Sequence, residues 1–416
     1  MKVIVVGAGI TGVSAAEWLR RDGHEVTLID RVRPGDPTQT SFGNAGILAR
    51  SGVVPVSVPG LIWKAPGMLL DRDSPLYLRW SYLPRLMPWL LRYMWNGRRS
   101  KVEEIARGLA PLVGDTVDQH LSLARGTPAA RFIQHGFYTA IYRDRAAFEG
   151  DAFGFALRRA HGFEWEEWDR AALREYDPEL SEAYTFGAAL KDHGFITSPA
   201  GYVTALAEHF EREGGTFLQG EVADIAQIDG GRGAVTLTGG ARREADRVVL
   251  AAGVWSGKLA GKLGHHAAME SERGYHLTLT GASHKPPAPY MVADAKMAVT
   301  PMEEGLRFAG TVDFGGLDGL EQTAPLESLR RRVRQIYPRL EWDGEETWMG
   351  QRPSTVDSLP LLGPSPKAPA IHFAFGGQHL GLTMGPRIGR MTADMIAGRK
   401  PNIDIAPYRV DRFDRH

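Results

Sequence analysis

The sequence predicts a mixed α/β chain, α+β overall, built from two interleaved domains, and three observations carry that prediction. The first thirty residues run apolar strand, glycine-rich turn, amphipathic helix and second apolar strand, the pattern of a parallel βαβ unit. The same βα character returns at 195–262 and 350–400, whereas 130–170 and 272–315 read as antiparallel strands. At 416 residues the chain is too long for one ordinary core. Segments of like character are far apart in sequence, so the expected division is 1–75, 190–262 and 345–416 for one domain, and 76–189 with 263–344 for the other.

Composition narrows the function classes. Hydrophobic residues make up 43% and charged residues 24%, as in ordinary globular proteins. Lys plus Arg and Asp plus Glu both number 49, so no overall field favours nucleic acid. There is no cysteine, which excludes disulfides, thiolate metal sites, a cysteine nucleophile and a cysteine-linked cofactor. His, Asp and Glu show no metal-ligand spacing, so no metal is expected, and neither G-x-S-x-G nor a P-loop occurs. The apolar run after Lys2 is too short for a signal peptide, and no stretch approaches a transmembrane span. A cytoplasmic protein is the expectation.

Taken in order, Val3 to Val6 form a strand, and Gly7, Gly9 and Gly12 follow in G-x-G-x-x-G spacing. Ile10 and Thr11 open a helix that runs through Leu19, Gly23 breaks it, and Val26 to Ile29 form the next strand, closed by Asp30 and Arg31. Gly7 permits the tight turn, Gly9 lets backbone approach a pyrophosphate, and Gly12 lets the helix sit close on the strand. The helix N-terminus offers N–H groups to phosphate, and Asp30 can accept from both ribose hydroxyls while repelling a 2′-phosphate. The unit is a Rossmann-like dinucleotide site; by itself it leaves NAD and FAD open.

After a loop, Ser41 can cap a short helix, and Asn44, Ala45, Gly46, Ile47 and Leu48 follow as a second close approach of backbone. Residues 51–75 show no period. In the aromatic stretch 77–95, Leu83, Leu86, Met87, Leu90, Leu91 and Met94 fall at helical spacing, flanked by Arg79, Arg85, Arg92, Arg98 and Arg99. That stretch reads either as a buried helix over the substrate site or as an interfacial segment on a membrane. A helical region at 101–130, a strand Phe137 to Tyr142, a helix Ala147 to Ala160 and a strand Glu164 to Trp168 come next. Asp192 to Pro199 reads as a turn before a helix from Gly201 to Glu213. Beyond it lie a meander at 216–237 and a buried strand ending at Gly253, Val254 and Trp255. Tyr275, Leu277 and Leu279 share one strand face, and Glu303-Glu304-Gly305 turns a hairpin. A helix from Leu326 to Tyr337 and a strand from Glu345 to Arg352, stopped by Pro353, follow. The strand at His372 leads through Gly377, His379, Leu380, Gly381, Leu382 and Thr383 into the last helix.

Several stretches together resemble the flavin-dependent D-amino-acid oxidase superfamily, most closely its D-amino-acid dehydrogenase (small subunit) branch. They are VIVVGAGITG with LID, SFGNAG, DHGFITSPAGYVTAL, VVLAAGVWS, ERGYHLTL, GQRPSTVDSLPLLGP and FGGQHLGLTMGP, and they span the chain in order. The resemblance implies FAD, held extended. Its pyrophosphate would lie at Gly7 to Gly12, its ribose at Asp30, and its diphosphate and flavin near Ser41, Asn44 and residues 46–48. Val222 would lie at the adenine, Gly253 and Trp255 at the middle, and Gly377 to Thr383 at the pyrimidine edge of the flavin. A helix N-terminus there would stabilise charge on reduced flavin. The family acid is often Glu, so Asp30 departs mildly. Without cysteine, non-covalent FAD is the expectation; a histidyl link stays open.

For the chemistry, the resemblance puts Arg352 of Gly350-Gln351-Arg352-Pro353 at the substrate carboxylate, and a planar guanidinium suits two-point carboxylate binding. With the amino acid bound as neutral amine, its α-hydride would pass to flavin N5, and the imino acid would hydrolyse to a 2-oxo acid, with no general base required. Tyr275 is the second candidate; His276, pointing to the opposite face, ranks below it. His379 is the third. The implied reaction is FAD-dependent deamination of D-amino acids, D-proline or hydroxyproline types included. The alternatives are a glycine, sarcosine or opine-type amine oxidase, and a flavin-binding electron-transfer subunit. The 77–95 stretch adds an expectation of peripheral contact with the inner membrane face and a quinone or respiratory-chain acceptor.

Overall fold

The computed structural model describes residues 1–61, 67 and 75–414. Its first sheet has six strands, in the order Leu361–Pro364, Ile371–Phe375, Arg247–Leu250, Lys2–Val6, Glu25–Asp30 and Thr216–Gln219. All neighbours are parallel except the first pair. The two central strands are nearly continuous apolar runs because both faces are covered. Helices Ile10–Arg21 and Gly381–Ile396 lie on one face and cross closely, with Gly389 directly against Ser14. A three-stranded meander, Val222–Ile228, Arg232–Leu237 and Arg242–Ala245, flanks the sheet.

The second sheet has eleven strands, nine in one path and two branching from it, with antiparallel pairing dominant. Its long strand Met269–Thr280 pairs along its whole length with Gly344–Thr355, Glu272 facing Arg352 and Tyr275 facing Met349. One face of this sheet buries Tyr275, Leu277, Leu279, Val299 and Phe308 against helix Ala324–Ile336. The other face turns towards the first domain: His276 bonds Gly43 O at 3.0 Å, and Arg307 bonds Asn44 O at 2.8 Å. Ile47–Leu48 joins this sheet beside Phe186–Ile196. Helices Arg99–Val113 and Thr116–Ala124 instead bury Val102, Ile105, Leu109 and Leu123 in the core shared with Val3 and Val5.

Several local expectations change. Residues 41–43 form a turn and no helix; Ser41 instead accepts from Ile10 N–H at 3.0 Å, capping the first helix. Residues 192–196 continue the strand Phe186–Ile196, because Asp192 takes a positive φ of 55° at an irregularity and pairing then resumes. Pro353 does not end its strand, which runs on to Thr355 opposite Ser271 and Met269. The expected helix 147–160 is two, Arg145–Glu149 and Ala152–Ala160, each starting at an Asp. The aromatic stretch forms helix Leu83–Asn96, whose buried residues are Leu86, Trp89 and Tyr93. Trp80, Leu91 and Trp95 are 60% or more exposed. Its exposed side mixes Arg85 and Arg92 with Leu91 and Trp95, so the leucine and methionine spacing alone did not pick out the inner face at Trp89 and Tyr93. Part of 51–75 lies outside the described residues.

Candidate active site

A long, half-open cleft runs along the carboxyl ends of the parallel strands, where ligands bind in open α/β sheets. Gly7, Gly9, Ile10, Thr11, Asp30, Arg31, Ser41, Asn44, Val222, Gly253, Trp255, Gly377, Gly381 and Leu382 all line it. Gly7 has φ +104°, and a Cβ there would fall 2.5 Å from Ala251 O, while a Cβ at Gly12 would fall 1.8 Å from Gly7 O. Only glycine fits the turn at these two positions, and Gly12 serves from beneath the cleft.

At one end, Asp30 Oδ2 accepts from Ala8 N–H at 2.6 Å and from Gln39 Nε2 at 3.1 Å. The carboxylate therefore braces the glycine turn and keeps lone pairs for a ligand hydroxyl. Arg31 stacks over Trp255 with its guanidinium 4.2 Å from the ring centroid. In the middle, the 40–46 loop is tied down at many points. Thr40 Oγ1 donates to Gln351 O at 2.7 Å, Thr300 Oγ1 donates to Ala45 O at 2.7 Å, and Asn44 Oδ1 accepts from Gly46 N–H at 2.9 Å. Arg307 donates to loop carbonyls from a buried position, and burial lowers its pKa to about 10.

Ala45, Gly46, Ile47, Leu48, Leu380 and Thr383 do not line the cleft, and neither do the three catalytic candidates Tyr275, Arg352 and His379, although Pro353 and Gln378 beside the last two do. Leu48 and Leu380 are core residues. Thr383 donates to Ile47 O and accepts from Ala49 N–H, both at 3.2 Å, so its hydroxyl staples the last helix to the 47–48 strand. His120 supports the same helix start: it lies between Tyr202 OH at 2.9 Å and Leu382 O at 3.0 Å, fully buried, and burial lowers its pKa to about 4.

Arg352 donates through Nη1 to Glu272 Oε1 and to Thr311 O, both at 2.9 Å. Its Nε and Nη2 make no hydrogen bond among the described residues, and its side chain is 20% exposed. The guanidinium lies across Gly274, where a Cβ would come within 2.1 Å of Nη2. One edge is thus anchored while the Nε/Nη2 edge remains a two-point donor. His379 stands in the turn before the last helix, next to the cleft-lining Gln378, with Glu272 and Arg352 as its charged neighbours. Loss of bulk water lowers its pKa, with Glu272 opposing that shift and Arg352 adding to it.

Tyr275 is placed elsewhere. It is 1% exposed, on the strand face opposite Arg352, and its hydroxyl donates to Asp313 at 3.0 Å and accepts from Gln322 N–H at 3.1 Å. Asp313 also pairs with buried Arg273, and burial raises the Tyr275 pKa to about 12. The ranking of Tyr275 above His276 is therefore reversed in geometry: His276 shares the face of Arg352, stacked on Trp348 at 5.2 Å. The strand alternation was legible; knowing which face met the cleft needed the pairing of Glu272 with Arg352.

Sequence reasoning missed Gln39 and Glu221 in the cleft, Glu272 bonded to Arg352, and the aromatic pair Trp89 and Tyr93 packed on the Ser354 end of the same strand. Trp89 Nε1 donates to Ser354 O at 3.2 Å, and Ser354 Oγ donates to Glu272 Oε2 at 3.1 Å. Tyr93 stacks on Trp89 at 4.6 Å and keeps a buried hydroxyl with no partner among the described residues. Aromatic spacing at 89 and 93 was the available signal for the last two.

The residues present fit an extended dinucleotide. A turn that a Cβ would fill, a helix N-terminus at either end and an acid with spare lone pairs follow one another along the cleft. Among the described residues there is no metal-binding cluster, and no helix is long and apolar enough to cross a membrane.

Such a cleft beside a second sheet defines the class of dinucleotide-dependent oxidoreductases. Comparison makes the class specific: residues 2–395 match the DAO family, described as FAD dependent oxidoreductase. The chain is 35% identical over 416 residues to a D-amino-acid oxidase of Bradyrhizobium diazoefficiens, covering 99% of this chain and 98% of that one. It is 29% identical over 423 residues to a D-amino acid dehydrogenase of the same organism, covering 99% of each. Among solved structures, glycine oxidase from Geobacillus kaustophilus aligns with a TM-score of 0.73 at 20% identity, covering 100% of this chain and 98% of that one. L-proline dehydrogenase from P. horikoshii aligns at 0.74 and 17%, with the same coverage. This chain belongs to the DAO family of FAD-dependent oxidoreductases. It is an enzyme that uses FAD and acts on amines or amino acids.

Proposed function

We propose that the chain oxidises D-amino acids, D-proline and hydroxyproline types included, at the carbon bearing the amine: a primary amine gives an imino acid that water converts to a 2-oxo acid and ammonia, and a ring amine gives a cyclic imine. Bound FAD supplies the two-electron acceptor for the α-hydride. The chain's own residues bind and orient. Gly7, Gly9, Ile10 and Asp30 hold the adenosine and pyrophosphate end, and the 40–46 loop with Gly377 to Leu382 holds the flavin end. Arg352 grips the substrate carboxylate and fixes Cα against the cofactor. The carrying observation is the anchored guanidinium of Arg352 with its Nε/Nη2 edge unused. The names of the sequence relatives support the D-amino-acid class. The expected division into 1–75, 190–262 and 345–416 against 76–189 and 263–344 remains part of this reading, with strand Gly344–Thr355 and helices 99–124 crossing between the two.

The test is anaerobic reduction of bound flavin by a panel of D- and L-amino acids and secondary amines. Bleaching by D-amino acids is the expected result. Bleaching by sarcosine or glycine with no response to any D-amino acid replaces this reading with the amine oxidase. No bleaching by any amine replaces it with an electron-transfer subunit.

The acceptor reading follows from helix Leu83–Asn96. Its outer side exposes Leu91 and Trp95, with Trp80 just before it, and Arg98 lies 3.2 Å over the Trp95 ring. Aromatic and basic residues together suit an anionic membrane surface and a quinone acceptor. Co-sedimentation with anionic vesicles and faster reduction of quinone than of oxygen are expected; rapid peroxide formation with no vesicle binding overturns this part.

A further inference from the structure

Arg352 does not face the cleft as a bare cation. Glu272 beside it is 2% exposed and holds Nη1 of the guanidinium through Oε1, while Ser354 Oγ holds Oε2. Two residues away on the same strand face, Glu270 accepts from the Tyr82 hydroxyl at 3.1 Å and from Ser271 N–H at 2.8 Å, and no cation pairs with it among the described residues. Tyr93, 4% exposed and within the field of Glu272, leaves its hydroxyl unpartnered among the described residues. The cluster behind the cleft wall therefore holds one guanidinium already matched by a buried carboxylate, with a second carboxylate close by.

A lone guanidinium in a water-poor pocket would capture any carboxylate. A neutralised one gains much less from a bare anion, because in low dielectric the anion is also repelled by the nearby glutamate. A zwitterionic ligand restores the balance on first binding: the carboxylate meets Arg352 and the ammonium lies in the field of Glu272, before it gives its proton to water and the neutral amine undergoes oxidation. A 2-hydroxy acid of the same shape brings no such charge.

We propose that Glu272 is a positioning and charge-balancing residue that turns the Nε/Nη2 edge of Arg352 to the cleft and makes the site select amine-bearing zwitterions over carboxylates that lack an amine. This rests on the reading that Arg352 takes the substrate carboxylate.

The test uses two probes without an α-hydrogen, 2-aminoisobutyrate and 2-hydroxyisobutyrate. Neither can be oxidised at Cα, so binding to the FAD-loaded enzyme is read directly by calorimetry. The wild-type enzyme is expected to bind the amino probe about tenfold or more tightly than the hydroxy probe. The reverse order overturns the proposal with no variant needed. In Glu272→Gln the amide oxygen still accepts from Arg352, so the geometry is kept and the charge removed. There the hydroxy probe is expected to bind about tenfold tighter and the amino probe no tighter, a change of preference that a purely structural role would not produce. Parallel weakening of both probes, or an unchanged ratio, overturns the proposal. Arg352→Met separates the two readings. If both affinities survive it, the carboxylate reading itself fails. If both are lost while Glu272→Gln leaves the ratio unchanged, only the role of Glu272 fails.

Discussion

At the scale of single residues, Arg352 is held at one edge and open at the other, which is what separates a binding arginine from a structural ion pair. Removing the guanidinium in Arg352→Ala is expected to raise KM by two orders of magnitude or about 3 kcal/mol, with FAD retained, because two charge-assisted bonds to substrate are lost. Steady-state kinetics beside the flavin absorbance ratio checks this. Gly274→Ala reaches the same group from its neighbour. The new Cβ would fall 2.1 Å from Nη2, so the guanidinium must move, and KM is expected to rise while the cofactor stays bound. Tyr275→Phe gives the opposite pattern. Its hydroxyl serves Asp313 and Gln322, so thermal stability is expected to fall, by about 1 to 3 kcal/mol of unfolding free energy, with KM unchanged. A large KM change in that variant would return Tyr275 to the site.

At the scale of elements, the Lys2–Val6 strand, the turn and the Ile10–Arg21 helix act as one unit. Gly12 is where the helix meets the turn, and a Cβ there would stand 1.8 Å from Gly7 O. Gly12→Ala is therefore expected to yield protein that loses FAD on desalting, measured by the ratio of flavin to protein absorbance. The βαβ unit was readable from spacing because its constraints are local: which residues make the turn depends on neighbours a few positions away. Helix Leu83–Asn96 shows the contrary case. Its apolar residues were countable, but its inward face was chosen by ring area and by the carbonyl of Ser354, 265 positions away. Ser41 likewise caps a helix, but the one that starts thirty-one residues earlier in the chain. A side chain's capacity to cap is a local property; its partner is a matter of topology.

At the scale of the whole molecule, two sheets and the helices around them bury several histidines in different parts of the fold. Burial lowers the pKa of His120, His193 and His372 to about 4 and that of His276 to about 3. In the unfolded chain each would titrate near 6.5, so between there and the folded value the unfolded state binds more protons. Stability is fully present above about pH 6.5 and falls as pH drops towards 4, at about 1.4 kcal/mol per pH unit for each such ring. Melting temperature is expected to fall between pH 7 and 5, and His120→Gln is expected to flatten that slope. A slope unchanged in the variant would show that His120 is not among the groups responsible. By itself the sequence determined the α/β class, the nucleotide turn and the alternation of βα and antiparallel segments along the chain, and it singled out Arg352 as the arginine to test at a carboxylate. All of these rest on short-range pattern or on the chemistry of one side chain. Only the tertiary structure decided that Tyr275 faces away from the cleft, that Glu272 shares the site with Arg352, and that Thr383 staples a helix. Those facts depend on strand pairing between segments some eighty or more residues apart, where a shift of one position would exchange the two faces of the sheet.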